Sequence, residues 1–146
     1  MGDFKEVLAV WQGGFSFQGS NNKGGKIQIG SIDDQPGVGS MELILLGLAG
    51  CSGSDIVMIL EKKKQKITDF HIRVTGIRAE AHPRVYTHID IEFLLWGENI
   101  DENSVQRAIQ LSEDKYCSVS NMLIGSVQIR SKYTINPIQH VEMFHA

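Results

Sequence analysis

Apolar and polar residues alternate with a period of two along much of this chain, and helical stretches break the alternation. Near the start, Leu8 and Val10 alternate with Ala9 and Trp11, the pattern of a strand. Gly13-Gly14 supplies a turn, and Phe15 and Phe17 share one face of the strand that follows. Asn21-Asn22 with Gly24-Gly25 makes a second turn before a short strand at Lys26 to Ile29. Asp33-Asp34-Gln35-Pro36-Gly37 reads as a loop. The most apolar stretch comes next and predicts a helix from Met41 to about Lys64. Ser40 serves as its N-cap, and Glu42 lies in the first turn, where the dipole favours a carboxylate.

That helix is apolar on nearly every side until Glu61-Lys62-Lys63-Lys64, which predicts burial all round its first half. Gly47, Gly50 and Gly53 recur in it every three residues. Each glycine costs roughly 1 kcal/mol against alanine in a helix interior, so close packing or space for a ligand is expected as the offset. Two strands follow. Ile72, Val74 and Ile77 mark the first. Thr87, Ile89, Ile91, Phe93 and Leu95 mark the second, with His88, Asp90 and Glu92 on its other face and Ala81-His82-Pro83-Arg84 as the turn between. A helix from about Asp101 to Tyr116 carries Val105, Ala108, Ile109 and Ser112 at helical spacing. A short helix from Ser118 to Ile124 and a strand from Val127 to Ile135 complete the chain. No internal repeat or linker interrupts it, so residues 1–146 are expected to form one domain.

Composition narrows the function. Hydrophobic residues make up 42% and charged residues 21%, ordinary for a globular protein. The net charge of −3 argues against a nucleic-acid partner or an acidic membrane surface. Residues 41–60 could span a bilayer by length. Glu42 and Asp55 make a buried core helix the expectation instead, with no membrane partner. Asp3, Lys5 and Glu6 interrupt any signal-like apolar run, so a cytoplasmic location is expected. The five histidines and two cysteines form no linear zinc motif, and neither a metal nor an organic cofactor is expected.

The two cysteines carry the chemistry. Cys51 lies inside the apolar helix. Cys117 lies just before the short helix, where free N–H groups stabilise a thiolate. An unperturbed thiol is only about 3% ionised at pH 7, and apolar burial lowers that further, so a reactive Cys51 needs a cation, donors or a dipole nearby. Each residue also has a plain structural reading: Cys51 as a small buried hydrophobe, Cys117 as packing at a helix junction, Glu42 as a dipole-stabilised surface group. Asp55, one turn beyond Cys51, needs a partner, for which Arg84, Arg73 and Lys115 are candidates.

Together these stretches resemble the OsmC/Ohr family of thiol-dependent hydroperoxide reductases. Met41-Glu42-Leu43, Ala49-Gly50-Cys51 and Asp55-Ile56-Val57 resemble its reactive-cysteine helix. His82-Pro83-Arg84-Val85 resembles the turn before its long strand, and Ala108-Ile109, Ser112 and Tyr116-Cys117-Ser118-Val119 resemble its second-cysteine motif. The resemblance runs from about Val7 to Ile135. It implies an α+β fold of order β-β-β-α-β-β-α-β, in a homodimer whose curved sheets wrap two central helices. It also implies reduction of organic hydroperoxides: Cys51 attacks, Cys117 resolves the product as a disulfide, and a small dithiol or lipoyl group restores the thiols. The family's orienting glutamate stands ten residues before the first cysteine, where this chain has Met41. Glu42 is one place on, a turn of about 100°. The resemblance also implies an orienting arginine in the N-terminal region, and the segment through Lys26 contains none; Arg84, in the family-like turn, is the cation first expected to compensate. These departures mark a divergent branch. The rival readings are an OsmC-like dimer that binds an apolar small molecule or senses redox state without turnover, and a thioesterase using Glu42 or Asp55.

Overall fold

In a computed structural model, which describes residues 2–138, the strands and α-helices follow the order read from the sequence. The chain divides into two compact units, one through residue 44 and the other from residue 45 onward. The first holds an antiparallel meander of three strands, β1 (Val7–Trp11), β2 (Phe17–Asn21) and β3 (Lys26–Ile29), in the order β1-β2-β3. Phe15 falls in the turn before β2 and is exposed. The loop after β3 folds back tightly: Gly30 N–H bonds to Val38 O at 3.1 Å and Val38 N–H to Gln28 O at 2.9 Å. Glycine is required at Gly30, whose φ is +71°, and at Gly37, where a Cβ would overlap the Gly30 carbonyl.

Helix α1 (Ser40–Lys62) begins one residue before the expected start. Its cap is Gly39 rather than Ser40. The Gly39 carbonyl takes the first helical bond from Leu43 N–H, and Glu42 Oε1 accepts from Gly39 N–H at 2.7 Å. By length and hydropathy α1 could cross a membrane, and only part of it is buried. Leu48, Ile56, Ile59 and Leu60 are buried, whereas Leu46 is 54% and Met58 40% exposed. Burial all round is therefore not achieved within one chain, because residues 45–138 cover one side of the helix. Of the three glycines only Gly53 meets a close neighbour, the side chain of Ile72. Gly47 and Gly50 face open space.

The second sheet has the order β4-β5-β6, from β4 (Ile67–Arg78), β5 (Tyr86–Gly97) and β6 (Gln128–Ile135). The β4/β5 pair is antiparallel and β5/β6 is parallel. The β5 face expected to be buried is buried: Ile89, Ile91, Phe93 and Leu95 are at most 2% exposed. Phe70 stacks on Phe93 with ring centroids 6.2 Å apart. Between β5 and β6, α2 (Glu102–Leu111) is capped by Asp101, whose Oδ2 accepts from Ser104 N–H at 3.1 Å. It buries Val105, Ala108 and Ile109. The expected continuation of α2 to Tyr116 is instead one π-helical turn, Ser112–Tyr116, followed by α3 (Ser118–Leu123) with Cys117 as its N-cap.

Candidate functional site

Cys51, Ser52 and Asp55 lie within one turn of α1, so helical geometry already groups them. The π turn delivers the opposing groups. Its wider winding stacks Cys117 over Ser112, with Cys117 N–H bonded to Ser112 O at 2.7 Å. Ser112 Oγ then donates to Asp55 Oδ2 at 2.9 Å, and Ser52 Oγ donates to Cys117 Sγ at 3.4 Å. The Cys117 sulfur also accepts the Ser120 backbone N–H at 3.4 Å, as an N-cap side chain does. Both thiols are free, and Cys51 Sγ, Cys117 Sγ and an Asp55 carboxylate oxygen all lie within 4.8 Å of one another. Among the described residues these three are grouped so that they could together hold a metal ion.

The two thiols are not equivalent. Cys117 is fully buried and Cys51 is half-buried. Burial pushes the Cys51 thiol above its ordinary value. The Val119 and Ser118 N–H groups oppose that shift, while the nearby Cys117 sulfur reinforces it. Burial also works against ionising Cys117. Donors from Ser120, the Ser52 hydroxyl and Cys51 itself outweigh it, and the Cys117 thiol lies below its ordinary value. Neither set of causes includes an arginine or lysine.

Glu42 and Arg84 are placed elsewhere. The Glu42 carboxylate is engaged at the Gly39 N–H, nine residues before Cys51 in sequence. Arg84 is exposed in the β4–β5 turn, its Nε donating to Ala79 O at 3.4 Å and its carbonyl accepting from Arg78 Nε at 2.8 Å. The partner of Asp55 is the Ser112 hydroxyl, not one of the cations expected from the sequence. Lys115 instead lies 5.2 Å from the centre of the Tyr116 ring. Ser52 and Ser120, both buried, are site residues that periodicity does not reveal. The available signal was local: each is a serine beside a cysteine or at the third helical position after one. His140 and His145 lie outside the described residues.

The family model described as OsmC-like protein matches residues 33–132. Protein YhfA of Escherichia coli K12 is 35% identical over 130 residues, covering 89% of this chain and 97% of its own. A hypothetical protein from Aquifex aeolicus, solved as a crystal structure, is 32% identical. It superposes with a TM-score of 0.80 over 92% of this chain and 99% of that one. The organic hydroperoxide resistance protein OhrB of Bacillus subtilis shares the fold at 16% identity, with a TM-score of 0.62 over 90% of this chain and 98% of that one. With its two cysteine segments folded together and its matched residues running through both compact units, the chain belongs to the OsmC-like family, in a divergent branch.

Proposed function

We propose that this protein reduces organic hydroperoxides through a two-cysteine cycle. The observation that carries the reading is the pairing of the half-buried Cys51 sulfur with the buried Cys117 sulfur. Cys51 is the sulfur a substrate meets first. Its S–H faces a Cys117 sulfur that is the better holder of negative charge. Attack by Cys51 on the terminal peroxide oxygen breaks the O–O bond, with the Cys51 proton passing by way of Cys117 to the leaving alkoxide. The products are an alcohol and a Cys51 sulfenic acid. Cys117 then attacks that sulfur, water leaves, and the disulfide forms. A small dithiol or lipoyl group supplies the two electrons that restore the thiols. The apolar sequence of α1 on either side of Cys51 supports an organic over an inorganic peroxide.

We further propose that one OsmC-like domain pairs with a second copy through the uncovered apolar side of α1, and that it works in the cytoplasm. Leu46, Met58 and the open Gly47 and Gly50 support the pairing, since an apolar helix face of this kind gains by burial. Among the described residues no arginine or lysine figures in the causes that shift the Cys51 thiol, and Arg84 is exposed. Arg84 of a second copy is accordingly the proposed thiolate-stabilising charge. Glu42 is assigned to capping α1.

A second reading, an OsmC-like binding or redox-sensing protein without turnover, draws on the fact that no arginine or lysine among the described residues figures in the causes that shift Cys51. Consumption of cumene hydroperoxide with dihydrolipoamide separates the two. The peroxidase reading expects turnover that Cys51→Ser abolishes. Disulfide formation without sustained consumption, with any dithiol, would leave the sensor.

A further inference from the structure

We propose that Cys51, Asp55 and Cys117 bind a single divalent metal ion of the zinc class when both thiols are reduced. The sequence holds no linear zinc motif, and the fold builds the donor set from two segments 66 positions apart, residues 51 and 117. Two sulfurs and one carboxylate oxygen lie mutually within 4.8 Å. Two sulfurs and one oxygen around a tetrahedral zinc stand roughly 3.5–3.8 Å apart, given bonds of about 2.3 Å to sulfur and about 2.0–2.2 Å to oxygen. Side-chain rotations of about an ångström would close that difference.

The chemistry of the donors selects the ion. Two thiolates and one carboxylate suit a borderline-soft cation and disfavour magnesium or calcium, which take oxygen shells. Their formal charge of −3 offsets the ion in a half-buried setting. The surroundings have the form of an outer shell. Ser112, 1% exposed, donates to Asp55 Oδ2 and orients the carboxylate. Ser52, 2% exposed, and the Ser120 N–H hold the Cys117 sulfur. A carboxylate accepts several hydrogen bonds, so the Ser112 bond leaves Asp55 capacity for a metal. Three protein donors leave a fourth position for water or an incoming ligand, and the partial exposure of Cys51 and Asp55 gives the ion a route in.

Metal binding needs no peroxide and no turnover, and it stands whether or not the redox cycle operates. Where that cycle does operate, an ion on both sulfurs withholds them from it.

The test is titration of zinc sulfate into reduced, tag-free protein under nitrogen, followed by calorimetry, with cobalt(II) as a spectroscopic substitute. One ion per chain is expected. Cys51→Ser, Cys117→Ser and Asp55→Asn should each weaken binding by about tenfold or more. Cobalt on the unaltered protein should show sulfur-to-metal charge transfer and tetrahedral visible bands, both lost once the disulfide is formed. This arm needs no variant to fold. No saturable zinc binding, a cobalt spectrum without sulfur charge transfer, or an affinity unchanged in Cys51→Ser or Asp55→Asn would overturn the site.

Discussion

Ser52 donates its hydroxyl hydrogen to Cys117 Sγ across 3.4 Å, tying the long helix to the second thiol. The bond runs from the residue next to one cysteine to the other cysteine, so the α1 backbone fixes both sulfurs relative to each other. It also favours the charged form of Cys117, whereas Cys51 is held neutral by burial and by its neighbour's charge.

The order of ionisation follows. As pH rises, Cys117, held below the ordinary thiol value, loses its proton first. Its negative charge then keeps the proton on Cys51 to higher pH. Thiolate absorbance of the reduced protein should therefore show an early step that survives in Cys51→Ser and vanishes in Cys117→Ser. Ser52→Ala should move that step to higher pH. An early step lost with Cys51 would reverse the assignment.

Ser112→Ala removes the donor to the part-buried Asp55 carboxylate. It should cost about 1–3 kcal/mol in urea unfolding, as expected when a partly buried acceptor loses its partner. Asp55→Asn keeps an acceptor for Ser112 and should cost less. Equal stability of Ser112→Ala and wild type would show that the bond contributes nothing.

The strands and the core were legible because periodicity reports burial directly. Ile89, Ile91, Phe93 and Leu95 face one way in the sequence pattern and are buried in the fold. Val105, Ala108 and Ile109 likewise mark the inner side of α2. The break in that helix was not legible. Residues 112–116 keep helical spacing, and the change from α to π winding is a small backbone difference that leaves no apolar signature. That change positions Cys117, so the approach of the two thiols was implied by resemblance and could not be derived from spacing. The Asp55 partner was not legible for a related reason. Charge arithmetic favours a cation, while the fold supplies a neutral hydroxyl already stacked beside Cys117.

A dimer of twice 16.2 kDa is expected in sedimentation at micromolar concentration. Leu46→Glu places a charge on the exposed apolar side of α1 and should shift the protein toward monomer, with far-ultraviolet circular dichroism retained. A wild-type monomer, or a dimer indifferent to Leu46→Glu, would move the interface away from α1.

Arg84→Met should leave the dimer intact, raise the pH at which Cys51 ionises, and slow the peroxide step about tenfold or more, as loss of one charge-stabilising contact does. A rate and titration equal to wild type would confine Arg84 to the β4–β5 turn, where its Nε already bonds Ala79 O.

In the proposed cycle Cys51 and Cys117 form one redox unit. The most direct measurement is the intact and peptide mass of reduced protein after one equivalent of cumene hydroperoxide. Loss of two hydrogen atoms per chain is expected, with a single cross-linked peptide pair containing Cys51 and Cys117, reversed by dihydrolipoamide. Separate sulfinic acids on the two cysteines, or a disulfide joining two chains, would contradict it.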